Sequence, residues 1–121
     1  ARGPARKVYD LTGAGRQALH AGLMEALSVP EPRPSRLMLA IGNLPALPPG
    51  EAATALGQYR DRLAARRDHV GRRREAQQPL PYFVDALFDY SLTLIQVEIE
   101  WVEQFIEQIR SNAKGDRDVQ D

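Results

Sequence analysis

The sequence contains no cysteine, which rules out a disulfide framework, a thiolate metal ligand and a cysteine nucleophile. It also lacks a long hydrophobic run. The longest apolar stretch, Leu92 to Ile99, is interrupted by Gln96 and Glu98 and is far too short to cross a bilayer, so neither a membrane span nor a signal segment is expected. Histidine is scarce. His20 and His69 are the only two, they fall in different segments, and neither has a carboxylate or a second histidine at the spacing that puts two ligands on one helix face. No metal and no cofactor is expected. Ser28, Ser35, Ser91 and Thr93 have no base and orienting acid near them in sequence, so no residue is assigned a catalytic role and the chain is not read as an enzyme.

What is present is the composition expected of an ordinary soluble protein, neither disordered nor membrane-embedded. Hydrophobic residues make up 43% and charged residues 26% of 121, enough apolar content to fold and the size of one domain. The formal net charge is zero, yet its parts are separated along the chain. Arg60, Arg62, Arg66, Arg67, Arg72, Arg73 and Arg74 crowd the middle, while Asp85, Asp89, Glu98, Glu100, Glu103 and Glu107 crowd the last long segment. Such blocks pair with each other or face a polyanion.

Residues Ala5 to Leu11 alternate, with Lys7, Tyr9 and Leu11 on one side and Arg6, Val8 and Asp10 on the other, the pattern of a short strand. Because the chain opens on Ala1 just ahead of that strand, part of the natural protein is expected to precede it. Thr12 then offers a hydroxyl to the free amides of a helix running to about Leu27. Three prolines at alternate positions between Val29 and Pro34 make a stiff connector. A short apolar helix over Leu37, Met38, Ala40, Ile41 and Leu44 ends in a proline-rich stretch. A long amphipathic helix begins near Pro49-Gly50-Glu51 with the stripe Ala52, Leu56, Tyr59, Leu63 and Val70. After Gln78-Pro79-Leu80-Pro81 a second long helix runs from Tyr82 to about Ile109, and the polar tail beyond it is expected to fray.

That last helix carries two apolar stripes. One reads Leu87, Leu94, Glu98, Trp101, Phe105, and the other Phe88, Leu92, Ile95, Ile99, Val102, Ile106, Ile109. An apolar arc this wide must be covered from more than one side. A homodimer is therefore expected, with Phe88, Leu92, Ile95, Ile99, Trp101, Val102 and Phe105 at its interface. Glu98, which interrupts a stripe, is expected to be held by a polar or basic group. Tyr82, Phe83, Tyr90, Glu98 and Trp101 are candidates for a pocket taking a small ligand.

The segment Lys7-Val8-Tyr9-Asp10-Leu11-Thr12-Gly13-Ala14-Gly15-Arg16-Gln17-Ala18-Leu19 resembles the wing strand and following helix of PadR-type transcriptional regulators, whose pattern there is K-x-Y-x-L-T-x-x-G-R-x-x-L. The proline connector, the short helix ending near Leu47-Pro48-Pro49, the arginine-bearing helix and Glu98-Ile99-Glu100-Trp101 follow in the order of the larger PadR C-terminal domains. The resemblance implies a mostly α chain in which residues 1–27 close a winged-helix domain and residues 28–121 form a helical dimerisation and effector domain. It further implies that the helix-turn-helix lies ahead of Ala1, that the intact protein binds operator DNA as a dimeric repressor in the cytoplasm, and that a small hydrophobic or phenolic compound releases it. Arg2, Arg6 and Lys7 would then touch the DNA backbone from the wing. The alternative reading is a helical ligand-sensing or protein-interaction module without a DNA role.

Overall fold

A computed structural model describes the backbone of residues 12–120 and the side chains of residues 12–116. Among the described residues the secondary structure is helical: α1 Gly13–Ser28, α2 Arg36–Gly42, a single 3-10 turn Leu44–Ala46, α3 Pro49–Ala76 and α4 Tyr82–Gln120. The strand expected over residues 5–11 lies outside the described residues. The chain divides into two compact units with their boundary between Leu39 and Ala40; the boundary that the resemblance implies lies between residues 27 and 28.

Local chemistry sets the helix boundaries. The Thr12 hydroxyl accepts a hydrogen bond from the Gly15 amide at 3.0 Å, filling one of the donors that a helix start leaves free. Ser35 does the same for α2, accepting from the Met38 amide at 3.2 Å. Pro49 occupies the first turn of α3, where its missing amide costs nothing, and Glu51 faces the positive end of the helix dipole. Arg73 and Arg74 sit in the last turn of α3, at its negative end. Asp85 lies in the first turn of α4. Beyond Ile109, α4 continues to Gln120 where a frayed tail was expected. No proline interrupts residues 110–120, and Ala113, on the face that carries Ile106 and Ile109, is half-buried.

In the first unit, α1 has no buried residue. Leu19, Leu23, Met24 and Leu27 are 51%, 53%, 55% and 84% exposed. The second unit is built on the packing of α3 against α4. The two helices follow each other through a short proline-containing turn and run antiparallel, as partners joined by so short a connection must. Ala52, Ala53, Leu56 and Leu63 of α3 are buried, as are Ile95, Ile99, Val102, Ile106 and Ile109 of α4. Tyr59 and Ala64 pack on the cluster of Leu63, Ile95 and Ile99. The inward stripe of α3 is narrow and built largely of alanine and leucine, so it covers one face of α4 and no more.

Candidate functional site

Two faces of α4 have to be distinguished. The inner one, with Ile95 at 6%, Ile99 at 4% and Val102 at 0% exposure, is covered by α3 of the same chain, and Phe88, Leu92 and Phe105 on its margins are half-buried. These are six of the seven residues expected at a dimer interface. Within a single chain their apolar surface is already largely removed from water, because α3 supplies a matching stripe. Only Trp101 of that set, 46% exposed, still presents a large surface.

The outer face is a different row. Phe83, Leu87, Tyr90, Leu94, Val97 and Trp101 are spaced by four, three, four, three and four residues. Their exposures are 63%, 70%, 70%, 50%, 57% and 46%. Alternating steps of three and four mark the seam of a helix that pairs with another helix. The spacing is present in the sequence, where the adjoining Glu98 and Phe105 blur it into a broader stripe. Both of those residues lie beside the seam. Trp101 stacks on Phe105 at 5.0 Å and 28° between ring planes, which broadens the apolar surface at one end. At the other end Tyr82 meets Phe83 edge-on at 5.6 Å and 87°.

Three polar contacts lock α3 to α4 and fix which face of α4 is outermost. Tyr59 donates its hydroxyl hydrogen to a carboxylate oxygen of Glu98. Arg67 donates to the Gln96 side chain at 3.0 Å, and Gln96 donates in turn to Glu100 at 3.2 Å. Arg74 grips Asp85 with two parallel bonds of 2.8 and 2.6 Å, the fork geometry that makes such pairs selective. Burial pushes the Tyr59 phenol up to about 12, helped by the hydrogen bond to Glu98 and its negative charge and opposed by nearby Arg66. The Arg74 guanidinium holds the Asp85 carboxyl below its usual 3.8.

The candidate ligand residues are not gathered into one cavity. Tyr82, Phe83, Tyr90 and Trp101 are strung along α4, and at 1.5 Å per residue Tyr82 and Trp101 are about 28 Å apart. One small molecule cannot touch both within one chain. Glu98 is half-buried and engaged by Tyr59. An open groove lies elsewhere, between Arg67, Gly71, Arg72 and Glu75 of α3 and Leu92 and Gln96 of α4, and its mixed charges give it no clear ligand class. Among the described residues no three histidine or carboxylate side chains converge as a metal site would require, and no helix is long and apolar enough to cross a membrane. Arg2, Arg6 and Lys7, expected at the DNA backbone, lie outside the described residues.

No protein-family model matches this chain, and no curated protein or solved structure matches it.

Proposed function

We propose that this chain is the dimerisation and effector-response part of a cytoplasmic DNA-binding transcriptional regulator of the PadR kind, acting as a repressor and assembled as a homodimer through α4. The observation that carries the proposal is the exposed row Phe83, Leu87, Tyr90, Leu94, Val97 and Trp101. Six large apolar side chains in continuous register on one helix face exceed what isolated surface residues account for, and such a patch marks an interaction surface. The Thr12-capped start of α1 supports the same reading, since the resemblance to PadR regulators places the helix after the wing at that point. A dimer presents two equivalent DNA readers, so the operator is expected to be a pseudo-palindrome. A small hydrophobic or phenolic effector would act by changing how the two copies sit, and the reading assigns the chain no catalytic step.

The test is DNA binding and assembly measured together. The isolated 121 residues should sediment as a dimer and bind DNA weakly, without sequence preference and with steep loss in salt, because phosphate contacts alone discriminate nothing. The natural protein carrying these residues should protect a two-fold site in a footprint. A natural protein that protects no DNA site overturns the regulator reading.

A further inference from the structure

Resting on the dimeric reading above, we infer that the occupant of the exposed α4 row is a second copy of the same row, paired antiparallel about a two-fold axis near residue 92. Three properties of the row point to this partner and this direction. First, the row is nearly palindromic in size. Reversing it about its centre sets Phe83 against the partner's Trp101, Leu87 against the partner's Val97, and Tyr90 against the partner's Leu94, so each layer joins residues that complement one another. Parallel pairing sets each residue against itself and yields layers of two tryptophans, two tyrosines and two valines, uneven in volume and harder to fill without voids.

The second property is charge. Thr93 and Ser91 flank the row at its centre, so an antiparallel pair meets across its axis with short hydroxyl side chains. Toward the ends, Glu100 lies across from the partner's Ala86, and Glu98, already engaged by Tyr59, lies across from the partner's Val84. No acidic residue meets another. The dipoles of the two helices also oppose in this arrangement, whereas parallel pairing aligns them side by side.

The third property is area. With exposures between 46% and 70%, the six side chains offer about 100 Å² each. Both copies together then bury about 1,200 Å², the lower edge of a specific interface. The contact is self-complementary and closed, as two-fold association requires.

The absence of native cysteine makes the arrangement directly testable by single-cysteine cross-linking of the full chain. Under mild oxidation, Leu87→Cys and Val97→Cys proteins should each stay uncross-linked alone and form a disulfide-linked dimer when mixed, while Thr93→Cys should cross-link to itself. Leu94→Glu should weaken the dimer about tenfold or more in sedimentation equilibrium, with its helical circular dichroism retained. A dimer in which Leu87→Cys and Val97→Cys each link to themselves overturns the antiparallel inference and leaves the dimeric reading standing. A folded monomer overturns both.

Discussion

Tyr59 on α3 donates its hydroxyl hydrogen to Glu98 on α4, and this one contact joins the two long helices at the margin between the buried and exposed faces of α4. The partners are 39 residues apart in sequence, and Tyr59 packs on the cluster of Leu63, Ile95 and Ile99. A half-buried carboxylate in such surroundings is tolerated only when it is hydrogen-bonded.

Removing the hydroxyl is expected to expose that dependence. Tyr59→Phe should lower stability by about 1 kcal/mol, the cost of losing a hydrogen bond to a half-buried carboxylate, measured as a lower urea midpoint at unchanged slope. Glu98→Gln, which still accepts a hydrogen bond, should cost less than Glu98→Ala.

Tyr59 also sets an alkaline transition. Its folded value of about 12 lies above the ordinary 10.0, so the folded state holds the proton more tightly than the unfolded one. That contribution is complete below pH 10 and is lost as pH rises toward 12. Chemical denaturation across this window should show stability falling in the wild type, with a smaller fall in Tyr59→Phe. An ultraviolet titration of Tyr59→Phe should lack the late phenol ionisation near pH 12 that the wild type shows.

At the turn between the helices, Arg74 and Asp85 predict an acid transition of the opposite sign. Asp85 is depressed below 3.8 by the Arg74 guanidinium, so its contribution is present above that value and is lost as pH falls through the lower folded value. Asp85→Asn should be less stable than the wild type at neutral pH and should narrow the gap as the solution is acidified. Equal losses at pH 7 and at low pH would show that the pair contributes through packing alone.

Burial separates the two faces of α4 experimentally. Ile99→Ala should cost about 2–5 kcal/mol at any protein concentration, because it opens a cavity in the α3–α4 core. Leu94→Ala, on the exposed row, should leave the unfolding of the monomer nearly unchanged and reduce only the concentration dependence of the midpoint. Charged residues at Ile99 and Val102 should therefore unfold the hairpin, and separation of folded monomers is expected from charges at Leu94 or Val97. If Leu94→Ala and Ile99→Ala destabilise alike at all concentrations, the outer row is part of the subunit core.

Much of this protein was legible in its sequence because the signals are local. Thr12 ahead of α1, Pro49 and Glu51 at the start of α3, and the proline-rich stretch before Tyr82 each act on backbone within a turn of themselves. Helix starts therefore needed no knowledge of the fold. The stripe Ala52, Leu56 and Leu63 was likewise visible as the inner face of α3. Periodicity could not decide which apolar face of α4 that stripe would take. Both faces of α4 are rich in large hydrophobic residues, and either could have met α3. The choice is made by contacts between the two helices: Tyr59 with Glu98, Arg67 with Gln96, Arg74 with Asp85. These satisfy their polar groups only when Ile95, Ile99 and Val102 turn inward, and that arrangement leaves Phe83, Leu87, Tyr90, Leu94, Val97 and Trp101 in water. Local chemistry determined where each helix begins, and the pairing of polar groups across the helices decided which surface remains for a partner.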